Sequence, residues 1–151
     1  MNKPYSNILV PYDGSTYSQK ALKMAVNMTR AFDSVLYLVN VLDVSAVSPP
    51  GKIHSKNTRK TLDEIKEAIK TSVESYLQKI QKEYGDTGVI VKGFVLEGDI
   101  TEKILRFIED KNIDLVIIGS KGLSGVSKIK TLGSTSRKIS EIAKCPIVIV
   151  R

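Results

Sequence analysis

Tryptophan is absent from the 151 residues, and cysteine and histidine occur once each. A lone thiol, Cys145, cannot close an internal disulfide, and one His, His54, cannot assemble a zinc finger or a His-based triad. Long apolar runs are missing too. Stretches such as Leu115 to Ile118 and Ile147 to Val150 fall far short of the ~20 residues a membrane span requires. The opening MNKPYSNILVPYDGS lacks the cationic leader and apolar core of a secretory signal, so a cytoplasmic location is expected. Acidic residues are scarce in one place. From Gly119 to Arg151 there are seven basic residues (Lys121, Lys128, Lys130, Arg137, Lys138, Lys144, Arg151) against one acid, Glu141, so +6 of the +7 formal net charge sits in the last 33 residues. A basic segment on a nearly neutral chain suggests an anionic partner.

What is present reads as alternating strands and helices. NILVPY (7–12) and VLYLVNVL (35–42) are short apolar runs, expected as strands buried on both faces. Between them Ala21, Leu22, Ala25, Met28 and Phe32 recur at helical spacing over 16–32, with Ser15 as N-cap. Residues 43–58 read as a polar loop, and 59–84 as a long helix stopped by Gly85 and Gly88. A strand at 89–96 precedes a helix to about Lys111, opened by Asp99 with Glu102 at capping-box spacing. Strand 114–119, a Gly/Ser/Lys loop 120–132, helix 134–143 and strand 146–150 complete the order. The length suits one domain, 1–151. The alternation implies an α/β fold: a single five-stranded parallel sheet with helices on both faces. Ligands of such sheets bind beyond the carboxyl ends of the strands.

The loop after the fourth strand carries the strongest chemical signal. It runs from Gly119 through Gly122 and Gly125 to Gly133-Ser134-Thr135-Ser136. Glycines let a backbone approach a ligand, and a helix opening at Gly133 aims free N–H groups and a positive dipole end at one spot. Ser134 and Thr135 add hydroxyl donors, and Lys121, Lys128 and Lys130 add charge. Neither a Walker A loop nor a dinucleotide G-x-G-x-x-G fingerprint is present.

The chain resembles a universal stress protein of the UspA type over essentially its whole length. The resemblance rests on ILVPYDGS (8–15), VNVLD (39–43), VLEGD (95–99), the glycine loop and the closing CPIVIVR. ATP-binding members carry G-x2-G-x9-G-[ST]. Here Gly119, Gly122 and Gly133-Ser134 match, with ten residues rather than nine between Gly122 and Gly133. The resemblance implies a Rossmann-like fold and a homodimer formed through Pro146 to Val150. It also implies ATP, ADP or AMP as ligand, with Mg or Mn bound through the phosphates. On that reading Asp13 meets the adenine amino group or ribose, and Pro11 and Val41 flank the base. Gly119 and Gly122 face the ribose and α-phosphate, Gly133, Ser134 and Thr135 take the outer phosphates, and Ile118 and Lys121 also belong to the nucleotide site. The loop offers no general base, so binding with at most weak hydrolysis or autophosphorylation is expected.

Other readings stand beside these. Asp13 before Gly-Ser is also an ordinary turn residue. Tyr12 packs either on the site rim or on a helix. His54 reads as a solvated loop residue and Cys145 as a packed small side chain. Thr131, Ser134, Thr135 and Ser136 are hydroxyls for capping or modification. The alternative function is a dimeric interaction module whose basic C-terminal segment meets an acidic partner without nucleotide. Tyr and Phe do not interleave with that segment, which argues against nucleic acid.

Overall fold

Apolar runs flanked by turn residues become strands, and the helical repeats between them become crossovers. The computed structural model describes residues 3–43, 56–123 and 131–151. Among these the order is β1 (Asn7–Pro11), α1 (Thr16–Phe32), β2 (Val35–Leu42), α2 (Lys56–Gly85), β3 (Ile90–Glu97), α3 (Ile100–Asp110), β4 (Leu115–Gly119), α4 (Ser134–Ile142) and β5 (Ile147–Val150). All pairings are parallel, in the order β3-β2-β1-β4-β5.

Strand periodicity divides the apolar residues between two cores. Ile8, Val10, Leu36, Leu38, Leu115 and Ile117 pack with α1 and α2 on one face. Leu9, Val39, Val116 and Ile118 pack with Ile104, Phe107 and Ile108 of α3 and Ile139 of α4 on the other. Ile8, Leu9, Val116 and Ile117 are wholly excluded from solvent, which is why β1 and β4 read as unbroken apolar runs.

The caps agree with the sequence reading. Ser15 Oγ accepts from Ser18 N at 3.2 Å, and Asp99 Oδ1 accepts from Glu102 N at 2.8 Å. Boundaries shift where local chemistry intervenes. Helix α2 begins at Lys56, a turn before the expected 59, because Lys-Asn-Thr holds no Gly or Pro to stop it. Residues 44–55 of the expected loop lie outside the described residues. Strand β5 starts after Pro146, which has no N–H to pair. Strand β4 starts after Asp114, whose carboxylate instead accepts from Ser6 N at 2.9 Å and Asn7 N at 3.2 Å. Tyr12 lies past the end of β1, yet its N–H still donates to Val39 O at 2.8 Å.

Helix α1 lies against the end of β4 at Gly119. A Cβ there would meet the Tyr17 carbonyl carbon and Cβ at 2.8 Å and Ser18 N at 3.0 Å. Two are backbone atoms of a capped helical turn and the third, Tyr17 Cβ, is fixed directly to that backbone, so none can swing aside. Gly119→Ala is therefore expected to destabilise the fold by about 1–3 kcal/mol through overpacking. The urea midpoint should fall with an unchanged slope.

Candidate functional site

The strand order makes the site. From β1 the chain winds outward to β2 and β3, then returns to add β4 and β5 on the other side. The reversal lies between β1 and β4, and the crevice beyond their carboxyl ends is where such sheets hold ligands.

The β1 side is a tight turn. Gly14 takes φ +83°, a conformation that glycine adopts without strain. Asp13 Oδ1 accepts from Ser15 N at 2.9 Å, completing the turn that starts α1. Its Oδ2 accepts from Leu123 N at 3.0 Å, 110 residues away, on the β4 side. One exposed carboxylate thus ties the two lips of the crevice together. A Cβ on Gly122 would stand 2.9 Å from Asp13 Oδ2, so the absence of a side chain there lets the lips meet.

The β4 side is anchored from below. Ser120 N donates to Val150 O at 2.8 Å, and Gly133 N donates to Ser120 O at 2.8 Å. Buried Ser136 donates its Oγ–H to Gly119 O at 2.7 Å. Together these hold the start of α4 beside the end of β4. Gly133 is the N-cap and supplies no side-chain acceptor, and no acid occupies the first turn. The first intrahelical bond is Arg137 N to Gly133 O at 3.0 Å. The N–H groups of Ser134, Thr135 and Ser136 lie ahead of it, at the positive end of the helix dipole. Ser134 is exposed and Thr135 half-buried.

The expected site residues fare differently. Asp13, Gly119, Gly122 and Gly133 come together in the crevice, and Lys121 sits half-buried at the loop start. Val41 borders the α3/α4 core at the end of β2, and Pro11 shares that face by alternation with Leu9. The Ile118 side chain is buried in the same core, 5% exposed, and Gly119 has its own packing reason against α1. Gly125, Lys128, Lys130, His54 and the ten-residue spacing after Gly122 fall on or across residues outside the described ones. Tyr12 turns to a helix: its hydroxyl lies 2.8 Å from that of Tyr76 on α2.

Two residues did not stand out as site-builders in the sequence. Ser136 looked like one hydroxyl among four, and only the packing shows that it clamps Gly119. Asn40 donates Nδ2–H to Tyr12 O at 2.9 Å, steadying the residue before Asp13. Its Oδ1 is buried without a hydrogen-bond partner. The acids of VLEGD serve the scaffold. Glu97 pairs with Lys66 at 2.8 Å and lies 3.9 Å from Lys70, and its hydrogen bond to Lys66 lowers its carboxyl below the usual range. Asp99 caps α3. No group of three His, Cys, Asp or Glu side chains suited to a metal ion occurs among the described residues. No described helix is long and apolar enough to cross a membrane.

The family model of the universal stress proteins matches residues 4–151. The chain belongs to the universal stress protein family. A universal stress protein of Methanocaldococcus jannaschii is 32% identical over 148 residues, spanning 97% of this chain and 82% of the relative. One from Bacillus subtilis is 30% identical over 150 residues, spanning 97% and 99%. The solved universal stress protein UspA from Lactobacillus plantarum superposes with a TM-score of 0.85 at 24% identity, covering 99% of this chain and all of the other. Two more distant universal stress proteins were solved as complexes. One holds cAMP (TM-score 0.67, 17% identity, 97% of each chain covered). The other, from Archaeoglobus fulgidus, holds dAMP (TM-score 0.61, 17% identity, 97% and 98% covered).

This universal stress protein carries an alkaline liability next to its crevice. Burial first, then the hydrogen bond to Tyr76 and the charge of Asp13, hold the Tyr12 phenol well above its usual value. The folded state keeps a proton that the unfolded chain releases above about pH 10. Stability linked to Tyr12 is therefore complete below that pH and is lost as pH rises past it. Tyr12→Phe should flatten the decline of melting temperature between neutral pH and pH ~11 relative to wild type.

Proposed function

We propose that this universal stress protein is a cytoplasmic regulatory module that binds an adenine nucleotide, ATP foremost, in the crevice between β1 and β4. The observation that carries the reading is the N-terminus of α4, without a side-chain cap and held at the strand-order reversal. Such an end attracts a phosphate group through its N–H groups and dipole. The cAMP and dAMP complexes of distant relatives support the adenine class.

In this arrangement Gly133, Ser134 and Thr135 take the outer phosphates, and Gly119, Lys121 and Gly122 border the ribose and inner phosphate. Pro11 and Val41 flank the base. Each oxygen of the Asp13 carboxylate accepts one backbone N–H. A carboxylate has about four acceptor sites, so capacity remains for a ribose hydroxyl or the adenine amino group. Magnesium or manganese would arrive on the phosphates and offset their charge. Nucleotide is bound rather than turned over, with hydrolysis at most slow, since no residue among the described ones is placed as a general base. The protomer reads as one domain, and β5 is the sheet edge best suited to homodimer pairing. It is a short apolar edge strand, and pairing with its symmetry mate would cover its open backbone groups.

Mg-ATP at ~100 times its dissociation constant should stabilise the protein by about 2.7 kcal/mol. For a domain of this size that raises the melting temperature by roughly 5–10 °C. Asp13→Ala should abolish the shift. If millimolar Mg-ATP leaves wild type unmoved in differential scanning fluorimetry, the nucleotide reading fails and the acidic-partner reading takes its place.

A further inference from the structure

Past Pro11 the pairing of β1 with β2 stops short of its next rung. Odd-numbered residues of β2 turn their backbone groups toward β1: Val35 N donates to Ser6 O at 2.9 Å, and Val39 O accepts from Tyr12 N at 2.8 Å. Even-numbered residues face β3, where Leu42 O accepts from Gly98 N at 3.0 Å. With Pro11 in register with Val39, the next bond of a parallel ladder would run from Val41 N to Tyr12 O. That bond is absent. The Tyr12 carbonyl accepts instead from Asn40 Nδ2 at 2.9 Å. The Val41 N–H is left facing the gap beyond β1, with no acceptor among the described residues.

Asn40 does not suit the core it borders. By alternation it shares the α1/α2 face with Leu38, and its register partner Val95 packs on the same core. The Tyr12 carbonyl fixes which way the amide points, since turning it over would set two oxygens against each other. Oδ1 is then buried without a partner. A leucine has the same branched shape and would leave no orphaned acceptor. What the asparagine alone supplies is a donor that draws the Tyr12 carbonyl away from Val41. Buried Tyr12 is held on that side by its ring as well, through the hydroxyl contact with Tyr76 at 2.8 Å.

We propose that Asn40 is a positioning residue for the nucleotide base. By taking the Tyr12 carbonyl it stops β1 and β2 from pairing one rung further, and it keeps the Val41 N–H open for an acceptor nitrogen of the purine. This role rests on the nucleotide reading proposed above. It also divides the ligand in two. Binding of the base depends on Asn40, whereas binding of the phosphates, at the start of α4, does not.

Asn40→Leu removes the donor, Asn40→Ala does so with less bulk, and Asn40→His keeps an N–H at the same reach. In ligand-free protein, amide exchange followed by NMR should find the Val41 N–H fast in wild type and Asn40→His. It should be slowed in Asn40→Leu and Asn40→Ala, where the Tyr12 carbonyl is free to accept it. In titrations, Asn40→Leu and Asn40→Ala should weaken ATP roughly tenfold, the effect of losing one hydrogen bond. Asn40→His should bind ATP as wild type does, and inorganic tripolyphosphate should bind all four proteins alike. Equal ATP affinity in wild type and the two donor-free variants would overturn the proposal. So would a parallel loss of ATP and tripolyphosphate, or a Val41 N–H already protected in ligand-free wild type. A wild type that binds no ATP overturns the nucleotide reading itself, and the role of Asn40 with it.

Discussion

The close approach of α1 to the last residue of β4 governs the functional end of this molecule. At Gly119 the strand backbone touches the backbone of Tyr17 and Ser18, with no room for a methyl group. Several things follow from that contact. The turn at Asp13 to Ser15 must end β1 abruptly, so that α1 can start close to the sheet. The chain leaving β4 must turn away from α1, toward the side where α4 begins. Ser136 then reaches back to the Gly119 carbonyl, and Gly133 to the Ser120 carbonyl. The crevice is what remains between two segments so held.

Asp13 shows that structural and binding roles need not compete. Its two oxygens accept backbone N–H groups from both lips of the crevice, which makes it a turn residue and a clasp at once. A carboxylate fixed by two donors is also preorganised for a third. The same economy appears at Gly122, where the missing Cβ serves the clasp. Ile118 is the opposite case. Its side chain is committed to the core beneath the site, and what it offers the crevice is the position of its backbone.

The strands, the helices and their order were legible because each apolar run is either continuous or helically spaced. The caps at Ser15 and Asp99 were legible because capping depends on three or four consecutive residues. The start of α2 was not, since Lys-Asn-Thr is polar enough to look like loop while containing nothing that halts a helix. The destination of Tyr12 was open in the sequence. Whether it faces the site or a helix depends on which face of β1 it follows and on how far α2 extends. The basic C-terminal segment also divides once placed. Arg137 and Lys138 follow the opening turn of α4, whereas Lys144 and Arg151 flank β5.

By itself the sequence determined the parallel α/β class, the burial of β1 and β4 on both faces, the capped helices and the glycine-marked loop that carries the family resemblance. Those properties follow from local periodicity and from residues close together in the chain. Only the tertiary structure decided the reversal between β1 and β4, the clasp from Asp13 to Leu123 and the Ser136 anchor. Each of these depends on distances across the sheet between residues remote in sequence. No local pattern encodes a meeting of backbone groups 110 residues apart.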